Sequence, residues 1–452
     1  MPSRYRLPVY STRIGLSTGS KEAAADGWFY PSDPAEEAAL INVGCEVDNL
    51  SNPNDAPGNP ASVSGAGIPR LGVVATRAGV NAFQTWGTAK QFMSRSSYVA
   101  LDNITELKLL FSNWCAAADT ETAGSLPATV YASIEYPIGT ILATVTFGGS
   151  AAGTMPAGGD VMSDSVAVAM PMYARFAVRC FLDAPGGAPY SQQDGVNYLS
   201  SGIDACNFGT TATNVVNSMT AISNSNGGLH YKPTAVLGVT GQKCVALYGD
   251  SRVYGIQDYV DGMHGSIGEL QRALVPAVAT FQLSTPGATL QAAAASAAGH
   301  AKRRALIAAY CSHVASNLGI NDQSTRSAAQ MTADISTLAL GLGKPYWHCT
   351  LPPGTVTSTD SFVTVANQTA SGSNSTRVAF NGSIRAGGAQ IAGYFEIADV
   401  VESARDSGKW KADGATANLY TSDGLHESQY ANRQIAAAQV AAAFVARVRH
   451  IE

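Results

Sequence analysis

The run Val245-Ala246-Leu247-Tyr248 leads into Gly249-Asp250-Ser251. A serine hydroxyl becomes a nucleophile when an adjacent base takes its proton. A serine just past the carboxyl end of a buried strand stands where open α/β sheets bind ligands. Gly249 lets the chain turn sharply there because it has no Cβ. Taken alone, Gly-Asp-Ser is also an ordinary turn sequence. Three further short motifs follow it: Gln282-Leu283-Ser284-Thr285-Pro286-Gly287, Gly319-Ile320-Asn321-Asp322 and Asp423-Gly424-Leu425-His426. Each follows a candidate strand or precedes a candidate helix.

These four blocks, in this order, resemble the SGNH hydrolases, the GDSL esterase/lipase family. Its signature is Gly-Asp-Ser, a lone Gly, Gly-x-Asn-Asp and Asp-x-x-His. The resemblance covers residues 241–452. Two positions depart from the usual pattern: Arg252 stands where many members carry a hydrophobic residue, and Pro286 precedes the lone glycine, for which Gly268 and Gly299 are alternatives. The chemistry agrees with the resemblance. Ser251 is the candidate nucleophile and His426 the base, with Asp423 orienting the ring and stabilising the imidazolium. The oxyanion of a tetrahedral intermediate needs preorganised donors. The backbone amides of Ser251 and Gly287 and the side-chain amide of Asn321 would supply them. Each residue also has a structural reading: Ser251 in a turn, Asn321 capping the next helix, Asp423 in an Asx turn, His426 on the surface. Asp250 reads as a turn carboxylate. Arg252 reads as a solvated charge or as part of the mouth of the site.

The elements that must position these residues change character along the chain. Residues 1–65 read as an irregular arm, with one short helix over Asp33 to Asn42. Residues 66–190 read as an all-β sandwich of jelly-roll type, with strands at Gly72–Thr76, Leu107–Phe111, Thr129–Tyr136, Ile141–Phe147, Val166–Met170 and Ala174–Leu182. Residues 191–240 read as a connecting segment. From 241 to 452 strands alternate with helices, the pattern of a doubly wound parallel sheet. The resemblance makes this an α/β/α sandwich of the flavodoxin-like kind. Its helices are expected at Ile267–Ala273, Ala288–Ala301, Ser327–Leu342 and Tyr430–Val448. Its later strands are expected at Ala277–Leu283, within Leu306–Leu318, at Tyr346–Leu351 and at Tyr394–Val401.

Composition narrows the function classes. The chain has 452 residues, 46% hydrophobic and only 13% charged, with a net charge of −5. There is no basic footprint for nucleic acid. No stretch approaches the ~20 apolar residues of a membrane span. The first residues lack the apolar core of a signal peptide, which implies cytoplasmic synthesis. The seven cysteines are scattered without a C-x-x-C pair and read as mostly buried thiols. His230, His264, His300, His313, His348 and His450 show no metal-ligand spacing, and His313 and His348 read as core histidines. No cofactor or metal is implied.

The triad logic makes this a serine esterase acting on short acyl esters. The resemblance implies acetyl esters of a carbohydrate as substrate, because family members with an appended β-sandwich are often polysaccharide deacetylases. Long-chain lipase action is disfavoured, with no extended apolar lid in view. The alternative is a structural or attachment protein of a phage particle, which the β-rich region and N-terminal arm resemble. As a homo-oligomer, such as a trimer, or a virion component, it would act at the host cell surface.

Overall fold

The computed structural model describes residues 69–82, 88–189, 203–223, 230–260, 265–295, 298–388 and 390–450, and four short strands before residue 50. Met1–Ala66 and Gly67–Glu452 are two separate units. In the first, Ser3–Arg6 pairs antiparallel with Glu46–Asn49, and Arg13–Leu16 with Gly19–Glu22. The arm therefore carries strands where the sequence suggested none. The helix expected at Asp33 to Asn42 lies outside the described residues.

The second unit contains a six-stranded parallel sheet. Its strands in chain order are β1 (Ala78–Gly79), β2 (Cys244–Leu247), β3 (Ala279–Gln282), β4 (His313–Ser316), β5 (Tyr346–Cys349) and β6 (Gly393–Phe395). In space they run β6-β5-β4-β2-β3-β1, all parallel. Counted from β2, this is the 2-1-3-4-5 order of flavodoxin-like sheets, which reverse direction between β2 and β4. Among the described residues the α-helices are α1 (Ser251–Tyr254), α2 (Gly268–Leu274), α3 (Leu290–Ala294), α4 (Ala301–Tyr310), α5 (Ala328–Leu342), α6 (Asn374–Arg385), α7 (Ala398–Val401), α8 (Gln429–Ala437) and α9 (Ala442–His450).

Alternation along β2 explains the layering. Cys244 and Ala246 point to one face, where Leu306, Ile335, Leu338 and Phe380 of α4, α5 and α6 pack. Val245 and Leu247 point to the other, against Leu270, Leu274, Ile435 and Phe444 of α2, α8 and α9. Successive side chains of a strand face opposite ways, so a strand covered on both faces must be apolar throughout.

Before β2 the described residues of the second unit form two larger antiparallel sheets. One has the order Ile141–Thr144, Ala128–Glu135, Arg175–Asp183, Gln91–Val99, Ala205–Gly209, with Gly153–Met155 alongside. The other has the order Asp160–Met162, Ile104–Ser112, Ala235–Thr240, Arg70–Val73, with Val166–Met170 alongside. Phe92, Val130, Val178 and Cys180 of the first sheet share a core with Leu107, Leu109, Phe111 and Val236 of the second.

The boundaries read from sequence need correcting. Ala205–Gly209 and Ala235–Thr240 are sheet strands, so 191–240 is not merely a connection. Ala78–Gly79, within 66–190, is the edge strand of the parallel sheet. Leu110 and Trp114 lie in the same apolar core as Phe281 and Leu306, so the 66–190 stretch and the α/β stretch are fused. Leu306 to Tyr310 is the last part of α4, which turns Leu306 and Ile307 into the core; a short apolar run does not separate helix from strand. Of the expected Tyr394–Val401 strand only Tyr394 and Phe395 are extended, in the strand Gly393–Phe395, and Ala398–Val401 is helical. The closing helix is broken into α8 and α9 at Gln439, which adopts φ +51°.

Candidate active site

β2 delivers Gly249-Asp250-Ser251 to the switch point between β2 and β4. A Cβ on Gly249 would collide with Asn317 Oδ1, so only glycine fits. Asn317, just past β4, pins the turn: its Oδ1 accepts from Asp250 N at 3.0 Å and its Nδ2 donates to Asp250 Oδ1 at 2.9 Å. Asp250 is the N-cap of α1, accepting from Arg252 N at 3.0 Å. Ser251 is the first helical residue, so its N–H has no intrahelical acceptor. Its side chain lies at the mouth of the turn and is nearly buried.

His426 Nε2 is 2.8 Å from Ser251 Oγ, and His426 Nδ1 is 2.7 Å from Asp423 Oδ2. The carboxylate can only accept, so Nδ1 carries the proton and Nε2 is left to accept from the serine hydroxyl. Asp423 Oδ1 also accepts from the backbone amides of Leu425 and His426, each at 2.8 Å. Asp423 thus makes the Asx turn and orients the imidazole with different oxygens. Burial works to raise its carboxyl, but the hydrogen bonds from the His426 side chain and from the backbone amides of His426 and Leu425 outweigh that and hold it far below the ordinary range. Gly424, at φ +74°, lies where a Cβ would strike the Val356 carbonyl. Its own carbonyl accepts from Val356 N and Trp410 Nε1, so the loop is anchored at its centre.

Gly287 follows β3 with φ +81°. Its loop is tied to the serine turn, since Thr285 N donates to Gly249 O at 3.1 Å and Gly249 N to Ser284 Oγ at 2.9 Å. Asn321 Nδ2 donates to Ala288 O at 2.9 Å. Asp322 accepts from Leu290 N at 2.8 Å and Gln291 N at 3.0 Å, capping α3. Asn321 does not cap α5; Ser327 does, in a capping box with Gln330. The alternative glycines are occupied with packing: a Cβ on Gly268 would crowd the Arg252 and Val253 carbonyls, and one on Gly299 the Asp119 carbonyl.

Arg252 is neither solvated nor at the mouth. It is buried, donating to Pro353 O at 2.7 Å and lying 3.7 Å from Glu427 Oε1. Asp250, Glu269 and Glu427 surround it. Burial raises all three carboxyls above the ordinary range, Glu269 most, and Arg252 is a counterweight in each case.

The proposed triad is therefore one hydrogen-bonded chain, and Gly287 and Asn321 belong to adjoining, cross-bonded loops. Asn317, Glu269 and Glu427 escaped the sequence reading; Asn317 sits two residues before the Gly319 block, its sole local signal. Among the described residues no group of His, Cys, Asp and Glu is arranged to hold a metal ion. Cys115, Cys180, Cys206, Cys244, Cys311 and Cys349 are buried free thiols.

No family model and no curated protein matches this chain in sequence. Solved structures do match it. A peptidoglycan O-acetylesterase is 10% identical, over 84% of this chain and 83% of its own, with TM-score 0.35. An acetyl xylan esterase from the rumen bacterium Butyrivibrio proteoclasticus is 10% identical, over 85% of this chain and all of its own (100%), with TM-score 0.30. A psychrotrophic esterase from Pseudoalteromonas sp., in a structure inhibited by monoethylphosphonate, is 14% identical, over 46% and 98%, with TM-score 0.29. These superpose too loosely to transfer a residue or a substrate, and the chemistry is read from this chain's own side chains.

Proposed function

We propose that this protein is a serine esterase of the SGNH type that removes short acyl groups, acetyl above all, from a carbohydrate. The observation that carries it is the unbroken Ser251–His426–Asp423 chain at the switch point of a doubly wound sheet. As Ser251 Oγ attacks the ester carbonyl, His426 Nε2 takes its proton and Asp423 stabilises the imidazolium. The oxyanion is met by the amides of Ser251 and Gly287 and by the Asn321 side chain. His426 then returns the proton to the departing sugar hydroxyl. Water releases the acyl group by the same steps in reverse order. No cofactor enters this scheme.

The carbohydrate preference rests on the four-block resemblance and on reading the two antiparallel sheets as the appended sandwich. A purely structural role in a phage particle would leave Ser251 inert. A fluorophosphonate probe separates the two: Ser251 is labelled if it is activated, and the Ser251→Ala protein is not. Release of acetate from acetylated polysaccharides, compared with p-nitrophenyl esters of rising chain length, tests the substrate. Absence of labelling in the folded wild-type protein would sink the esterase reading.

A further inference from the structure

The hairpin Trp114–Ala117/Thr120–Ala123 belongs to the sequence-proximal, antiparallel half of the unit. Its tip, Ala118-Asp119, lies against the Gly287 loop. The Ala118 carbonyl accepts from Thr285 Oγ1 at 2.8 Å, and the Asp119 carboxylate accepts from Thr289 N at 2.9 Å and Thr289 Oγ1 at 2.8 Å. Thr285 and Thr289 stand two residues before and two residues after Gly287, so two successive residues of the tip grip both flanks of that glycine. The atom nearest to where a Gly287 Cβ would stand is Ala118 Cβ, at 3.5 Å.

The tip is itself held. Arg303, fully buried, donates to Thr285 Oγ1 at 2.9 Å and to Ala118 O at 3.3 Å, and Glu121 accepts from Arg303 N at 2.9 Å. His300 Nε2 is 3.4 Å from Asp119 Oδ1, and His300 Nδ1 is 2.5 Å from the hydroxyl of Tyr248, which directly precedes Gly249. Asp119 is thus connected to both the glycine loop and the strand that carries Ser251. Burial works to raise its carboxyl, but the His300 and Thr289 hydrogen bonds outweigh that and hold it below the ordinary range.

We infer that Asp119 is a positioning residue for the Gly287 amide, so that the antiparallel half of the protein sets the oxyanion-binding geometry. This rests on the esterase reading. Glycine at positive φ has little intrinsic preference for one peptide orientation. An oxyanion donor works only if it is already aimed where charge develops, and a site is only as accurate as the contacts that lock it. Asn321 and Asp322 hold the loop from the sheet side; Asp119 and Ala118 hold it from the other.

Asp119→Ala, assayed on a short acyl ester, is expected to lower kcat by roughly 10- to 100-fold, the scale of a displacement of about 1 Å. KM should stay within about twofold, since a donor felt only in the transition state lowers kcat and kcat/KM together. Asp119→Asn keeps an acceptor for Thr289 N and should recover most of the loss. Glu135→Gln, a destabilising change elsewhere in the antiparallel sheets, provides the comparison: its melting temperature should fall while kcat of the folded protein holds. A folded Asp119→Ala protein with kcat within twofold of wild type overturns the inference. So does a kcat loss that Glu135→Gln reproduces at equal loss of melting temperature. If Asp119→Ala does not fold, Thr289→Val carries the test, with a severalfold kcat loss at constant KM expected and unchanged kcat overturning it. Failure of Ser251 to label in the wild type would bring down the esterase reading and this inference together; a labelled wild type with an indifferent Asp119→Ala removes the inference alone.

Discussion

Glu427 Oε1 lies 3.7 Å from the Nε of Arg252, with both side chains buried. One is the residue after the candidate base His426, the other the residue after Ser251. The two loops that carry the candidate nucleophile and base are therefore joined underneath by a second contact, between the residues that follow Ser251 and His426.

Arg252→Met is expected to destabilise the fold by about 3–5 kcal/mol, the usual result of removing one partner of a buried pair. The deficit should grow with pH. Carboxyls whose folded pKa lies above the unfolded value are uncharged in the fold at low pH and oppose folding as pH climbs from the ordinary carboxylate range toward the folded value. Asp250, Glu269 and Glu427 are all raised, and Arg252 is the cation that moderates them. Melting temperatures of wild type and variant at pH 5, 6.5 and 8 check this; a gap that narrows with pH would contradict it.

Asp423→Asn should keep the Asx turn, because Asn Oδ1 can still accept from Leu425 N and His426 N. It loses the carboxylate facing Nδ1. A fall in kcat of about 10⁴-fold with a native circular dichroism spectrum is expected, the scale seen when a triad aspartate becomes an asparagine. Because the Asp423 carboxyl is held far below the ordinary range, it remains ionised as pH falls through that range. The acid limb of kcat/KM in the wild type should therefore report a single proton. A limb of slope two would place Asp423 among the titrating groups.

Asn321→Ala should lower kcat by roughly 10²–10³-fold, about 2.7–4 kcal/mol, with KM nearly unchanged. Its melting temperature should move little by comparison with Ser327→Ala. That second variant removes the α5 cap, at a cost of about 1 kcal/mol, and should leave turnover of the folded protein intact. Kinetics and thermal melts on the two proteins give opposite patterns if the roles are as assigned. A near-normal kcat in Asn321→Ala would remove it from the oxyanion site.

Glu135 is buried between Arg95, at 2.6 Å, and Arg179, at 3.1 Å. Glu135→Gln leaves two cations without a carboxylate and should cost about 3–5 kcal/mol. Burial works to raise the Glu135 carboxyl, but the Arg95 and Arg179 hydrogen bonds hold it below the ordinary range. Its contribution is therefore present above the unfolded pKa of about 4.3 and lost as pH falls through the lower folded value. Urea melts at pH 7 and pH 3.5 should show the wild-type advantage over the variant shrinking at the lower pH.

What the sequence determined by itself was local. The apolar run before Gly249 reads as a strand covered on both faces, and the strand–helix alternation after it reads as a parallel sheet. Asp423 and His426 are three residues apart, close enough for one turn to bring carboxylate and imidazole together. Ser327 and Gln330 close the start of α5 through the same short range, in a capping box that the structure shows. Tertiary structure decided whatever depends on partners far along the chain. Arg252 looks like a surface charge until Glu427, far away in sequence, and the Pro353 carbonyl close over it. Asn317 is an unremarkable residue until its amide meets Asp250. Gln91–Val99 mixes polar and apolar residues so evenly that only its pairing with Arg175–Asp183 and Ala205–Gly209 makes it a strand. Asp119 carries no signal in the sequence, and its place beside Gly287 follows from how one hairpin docks on one loop. Side-chain period and turn chemistry act within a few residues and leave a mark in the local sequence. Burial, ion pairing and docking are properties of surfaces that meet only after the chain has folded, and they leave none.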